Sequence, residues 1–170
     1  PGAMQSSYML DLSLNYLPGN KKPIKNRTRV RFHAGTSEIL GILVLLEADE
    51  LSAGEKTVAQ VHLESPLAQV RDDRFVIRSY SPVRTIGGGR ILNPIPVKHK
   101  RLRPDVVDGI KGLLDNSHEE NILYHAKESG YRGVRLKDLK LMVNISDKKL
   151  ESILGTLMSN RTLVLADKEN

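Results

Sequence analysis

The sequence predicts a fold that is mainly β and then α: an antiparallel β-barrel followed by a small helical module of winged-helix character. Three observations carry this reading. Through about residue 93, apolar and polar residues alternate in short runs separated by turn residues. Two prolines and a basic cluster then interrupt the pattern. From Pro104 onward, apolar residues recur at helical spacing.

In Leu10-Asp11-Leu12-Ser13-Leu14-Asn15-Tyr16 every second residue is apolar, which makes a first strand, and Pro18-Gly19-Asn20 ends it. In Thr28-Arg29-Val30-Arg31-Phe32-His33, Val30 and Phe32 share one face while Arg29, Arg31 and His33 share the other, so one face is cationic. The run over residues 39–46 is nearly all apolar, as expected of a strand covered on both sides. Residues 57–64 alternate again. Phe75-Val76-Ile77 and Ile91-Leu92 supply two further strands, and six short strands over this length predict a closed barrel across residues 5–97. Residues 98–104 read as an extended basic linker containing Lys98, Lys100 and Arg101.

The first helix, residues 105–116, links the two parts, with Pro104 placed for its first turn and Ile110, Leu113 and Leu114 on one face. Residues 117–170 form the helical module. Ser117 caps its first helix, Glu120 completes a capping box, and Gly130 suits the stop. A short helix covers Leu136–Val143. Another follows Ser146 and places Leu150, Ile153, Leu154, Leu157 and Met158 on one face. Thr162-Leu163-Val164-Leu165 reads as a strand, which completes winged-helix order; the sequence ends before a full wing. Pro1-Gly2-Ala3-Met4 reads as a cloning remnant ahead of an internal fragment.

Composition narrows the function classes. With 39% hydrophobic and 27% charged residues, the chain has the make-up of a cytosolic globular protein, with no apolar run of about 18 residues to span a bilayer. Zero cysteines exclude disulfides, thiol nucleophiles and cysteine-ligated zinc. The net charge of +6 is uneven. Residues 5–98 hold 13 Lys and Arg against 9 Asp and Glu, whereas residues 106–170 hold ten of each, so an anionic partner belongs to the first half.

Catalytic motifs are missing where they would be expected. Gly87-Gly88-Gly89 is followed by strand-forming residues rather than a helix, and no G-x-x-x-x-G-K-[ST] occurs, so the run reads as a close backbone approach. The five histidines lack metal-ligand spacing. Asp72-Asp73 reads as a solvated turn between Arg71 and Arg74. No catalytic residue, metal or cofactor is assigned.

The stretch R-F-V-I-R-S-Y-S-P-V-R-T-I-G-G-G from Arg74 to Gly89 resembles the segment that closes the third domain of elongation factor Tu. Together with R-V-R-F-H-A-G-T-S-E from Arg29 and K-H-K-R from Lys98, it is most similar to the bacterial selenocysteine-specific elongation factors. The resemblance covers about residues 5–101. It implies a barrel like the third domain of elongation factor Tu, followed by the first of several winged helices. It also implies a non-catalytic, monomeric, cytoplasmic fragment of a GTPase whose GTP and magnesium belong to a separate upstream domain.

The expected partners are selenocysteinyl-tRNA, held by its T arm, and, through the full-length protein, the ribosome and the selenocysteine-insertion hairpin of mRNA. By position, Arg31, Ser65, Ser79 and Tyr80 match tRNA-contacting residues of elongation factor Tu, although the residue types differ. Independently of family, Arg29, Arg31 and His33 form a cationic ridge, and Arg78 and Arg84 flank the hydroxyls of Ser79, Tyr80 and Ser81. An alternative makes Arg78 and Arg84 internal ion-pair partners. Two rival readings of the whole are a DNA-binding regulator, with a recognition helix over residues 146–160 whose exposed cations are Lys148 and Lys149, and a structural adaptor.

Overall fold

The computed structural model describes residues 5–165. Strands β1 (Ser6–Tyr16), β2 (Ile24–Lys25), β3 (Thr28–Ala34), β4 (Ser37–Leu45), β5 (Glu50–Leu51), β6 (Lys56–Ala68), β7 (Arg74–Ser79) and β8 (Thr85–Asn93) precede helices α1 (Pro104–Asp115), α2 (His118–Ser129), α3 (Leu136–Val143) and α4 (Asp147–Ser159). Six of the strands close an antiparallel barrel in the order β1-β6-β4-β3-β7-β8. The remaining two, β2 and β5, make a two-stranded flap. Closure removes the unpaired edges that an open sheet would leave.

Alternation in sequence becomes inside and outside in space. Leu10, Leu12 and Leu14 of β1, Val30 and Phe32 of β3, and Phe75 and Ile77 of β7 fill the barrel, with Phe32 and Phe75 stacked 5.1 Å apart. Strand β4 is covered on both sides, as its apolar run predicts. Leu43 and Leu45 point inward, while Val44 and the following Leu46 join Val58 and Leu92 in a second core that receives Val107, Ile110 and Leu113 of α1. α1 therefore packs on the barrel wall. The glycine run permits a close approach: a Cβ on Gly89 would lie 1.8 Å from the Ser13 carbonyl oxygen, and one on Gly88 would lie 2.8 Å from that of Phe75.

The predicted capping box forms, with Ser117 Oγ accepting from Glu120 N at 3.2 Å and Glu120 Oε2 accepting from Ser117 N at 3.0 Å. α2, α3 and α4 enclose Ile122, Leu139, Val143, Leu150 and Leu157. The strand expected over residues 162–165 does not form. The amides of Thr162 and Leu163 both donate to the Leu157 carbonyl, finishing α4, and Leu163 packs against the helical core. An isolated extended segment has nowhere to place its backbone hydrogen bonds, and the helix end offers two.

Residues 94–103 form no helix or strand, turning at Arg101 and Leu102, and they are tied down along their length. Gln60 Nε2 donates to the Val97 carbonyl at 2.9 Å, and His99 Nε2 lies 2.8 Å from Oδ2 of the fully buried Asp11. Arg101 donates to the carbonyls of Leu45 at 2.6 Å and Ala48 at 2.8 Å, and Leu102 N to that of Leu46 at 2.8 Å. The turn before β7 adds a second tie. Arg71 donates through Nη2 to the Leu113 carbonyl at the end of α1 and through its amide to the Leu141 carbonyl of α3 at 3.0 Å. The linker is thus a strap, whose bonds must break before the two parts can swing.

Candidate nucleic-acid interface

β3 turns Arg29, Arg31 and His33 outward because Val30 and Phe32 are committed to the core. The loop over residues 79–84 folds back over this face. Ser79 Oγ accepts from the Arg84 amide at 3.2 Å and donates to the Pro82 carbonyl, so its hydroxyl shapes the loop. Tyr80 is left 44% exposed beneath two guanidinium groups, Arg29 at 4.8 Å and Arg31 at 5.2 Å from the ring centroid. The result is an aromatic plate with two cations over it.

The ridge carries less free charge than its sequence predicts. Arg29 pairs with Glu64 at 2.8 Å and Arg31 with Glu38 at 3.0 Å, and Glu38 also stands 4.0 Å from His33 Nε2. Glu64 lies 35 residues from Arg29 and reaches it through the pairing of β3 with β4 and β4 with β6, whereas Glu38 reaches Arg31 within the β3–β4 hairpin. Such exposed pairs contribute about 0–1 kcal/mol, so a phosphate can displace the carboxylate at little cost. Arg78, Ser81 and Arg84 are exposed, and neither arginine has a carboxylate partner among the described residues. This removes the alternative in which they serve as internal ion pairs. Ser65 is exposed beside Glu64.

The linker cluster divides. Lys98 and Lys100 face solvent, while Arg101 is bound to the barrel and to Asp49 at 2.8 Å. Arg29 stands opposite Ile42 and Ile42 opposite His62. Burial, and then the charges of Lys98 and Arg27, lower the His62 pKa. The apolar Ile42, packed against the α1 cluster, thus stands between the arginine ridge and the strap lysines. Two further arginines, Arg74 and Arg90, stand opposite each other on β7 and β8. The segment over residues 74–93 contains four arginines and no acidic residue, a signal that was available in the sequence.

The seam between barrel and helices is polar but of a different kind. A cavity of about 250 Å³ is lined by His99, His125, Glu128, Arg132, Arg135 and Asp138. His99 is pulled down by burial, but its hydrogen bond and charge interaction with Asp11 outweigh this and raise its pKa. Burial, and then the Arg71 guanidinium, push His125 down to about 4. Among the described residues no group of three or more His, Asp or Glu could hold a metal.

Comparison with known proteins gives the family. The family described as "Selenocysteine-specific elongation factor, beta-barrel domain" matches residues 13–98. A selenocysteine-specific elongation factor from Desulfomicrobium baculatum is 33% identical over all 170 residues of this chain, which cover 27% of that protein. One from Haemophilus influenzae is 31% identical over 80 residues, 46% of this chain and 13% of its own length. This chain thus spans about a quarter of the first relative, and it belongs to the selenocysteine-specific elongation factor family through its β-barrel domain.

Proposed function

We propose that this chain is the RNA-handling part of a selenocysteine-specific elongation factor, and that the barrel face around Arg29, Arg31, Tyr80 and Arg84 grips the T arm of selenocysteinyl-tRNA. The observation that carries this is the pair of guanidinium groups over the exposed Tyr80 ring, each paired with a displaceable surface carboxylate. Guanidinium groups bind phosphates bidentately, and stacking on an aromatic holds them in place. In the intact factor a GTPase domain, with its GTP and magnesium, delivers the tRNA to the ribosome at a recoded stop codon, and distal winged helices hold the mRNA hairpin. The strap and α1 fix the helical module as an arm between these ends. The even charge balance of residues 106–170 favours an arm over a main RNA reader.

Arg31→Ala combined with Arg84→Ala in the full-length factor tests this reading. Binding of selenocysteinyl-tRNA should weaken and its salt slope fall by about one per arginine, while hairpin binding stays unchanged. Stable variants with unchanged tRNA affinity and slope contradict it.

A further inference from the structure

We propose that the RNA surface of the barrel extends along β7 to a second phosphate clamp, formed by Arg74 and Arg90, that takes the same RNA strand a few nucleotides from the clamp at Arg31 and Arg78. This rests on the proposed function above and adds a binding site to it.

β7 buries Phe75 and Ile77 and turns Arg74, Val76 and Arg78 outward. Its neighbours repeat the charge. Arg74 stands opposite Arg90 of β8, and Arg78 opposite Arg31 of β3, so each end of the outward face carries one guanidinium against another. Like charges directly opposite each other destabilise a sheet. The fold offers little relief: Arg74 and Arg90 are exposed, and neither has a carboxylate partner among the described residues. The acidic residues of the preceding turn are used elsewhere, with Asp72 Oδ2 3.6 Å from Arg71 Nε and Asp73 Oδ2 accepting from Val70 N at 3.0 Å. At the other end Glu38 offsets Arg31, so the arrangement that a bound anion would complete is Arg74 against Arg90.

The floor between the clamps is low. Val76 lies opposite Gly88, where a Cβ would stand 2.8 Å from the Phe75 carbonyl oxygen, so packing keeps that position free of a side chain. Arg74 and Arg78, four residues apart on one face, are separated by about 13 Å, which a nucleic-acid backbone covers in a few nucleotides. Neither clamp presents a pocket for a base, and Tyr80 supplies an aromatic only at the Arg31 end. Point charges along a shallow floor fit a sugar-phosphate backbone.

The test uses this chain and an RNA hairpin with the acceptor and T-arm sequence of a bacterial selenocysteine tRNA, comparing R74Q/R90Q with R31Q/R84Q. Affinity is measured against salt, and contacted phosphates are mapped by ethylation interference. R74Q/R90Q should lower the salt slope by about two, and should abolish interference at phosphates distinct from those lost in R31Q/R84Q. R74K/R90K should keep the slope. An unchanged slope and map in R74Q/R90Q, with R31Q/R84Q still weakened, overturns the second clamp and leaves the T-arm reading standing. No effect from either pair removes both. Equal competition by polyglutamate at matched charge also overturns the clamp, assigning the row to an acidic protein segment.

Discussion

In the barrel, every strand finds two partners, the interior is filled by residues such as Leu12, Phe32 and Ile77 at 0% exposure, and the outward faces of β3 and β7 carry arginines beside a few exposed apolar residues such as Tyr8 and Val83. The helical module is built differently. It encloses Ile122, Leu150 and Leu157, yet leaves Leu136, Met158, Val164 and the fully exposed Tyr131 uncovered. Asn121 Oδ1, His125 Nε2 and Asp138 Oδ1 are buried there without a hydrogen-bond partner. The difference teaches which part depends on the other. A closed barrel satisfies its own strand pairing, whereas the helices meet it through α1, which covers Val44, Leu46, Val58 and Leu92, and through the strap and Arg71. The proposed division of work follows this contrast, with the arginine-bearing face of the first part assigned to RNA and the second part to support.

The largest way to break this comparison is Gly89→Val. The new side chain has no room against the Ser13 backbone, so β8 cannot pair with β1 and cooperative folding of the barrel should be lost in urea denaturation followed by circular dichroism. Gly155→Ala in α4 is its counterpart, with open space around the Cβ, and should stabilise the module by about 1 kcal/mol. Next in size is the seam. Asp11→Ala leaves His99 without its carboxylate and Gln60 with only the Val97 carbonyl, and should cost about 3–5 kcal/mol, with limited proteolysis then cutting within residues 98–103.

Acid sharpens the contrast between the parts. Neutral His125 has a folded pKa of about 4 against an ordinary 6.5. Between those values the unfolded chain takes up a proton that the folded chain refuses. The stability is therefore complete above pH 6.5 and falls by about 3 kcal/mol as pH drops to about 4. His125→Asn should flatten that slope, and an equally steep melt in the variant would assign the acid sensitivity to another group. Smallest is Glu64→Ala, which frees Arg29. It should change stability by less than about 1 kcal/mol and strengthen RNA binding slightly at low salt, as read by fluorescence anisotropy.

Local signals reported local structure well. Strict alternation placed β1 and β3, the unbroken apolar run marked the doubly covered β4, and the Ser117 and Glu120 pair marked the start of α2. What escaped depends on contacts between distant residues. His99 reaches Asp11 across 88 residues, which turned an expected linker into a strap. Glu64 meets Arg29 only through the pairing of β4 with β6. The flap of β2 and β5 pairs two residues with two, too few for a periodicity to register. Thr162 and Leu163 have strand-forming side chains, but the carbonyl at Leu157 claims their amides. Arg74 and Arg90 become a pair only through the register of β7 on β8.

The division between an RNA-binding barrel and a supporting helical module is tested most directly by arginine and backbone NMR of this chain during titration with the T-arm hairpin. The account expects the Nε–Hε signals of Arg29, Arg31, Arg78 and Arg84 to shift together and saturate at one RNA per chain, with the amides of α2, α3 and α4 unmoved. Shifts confined to the module, at Arg132, Lys148 and Lys149 with the barrel arginines silent, would contradict it.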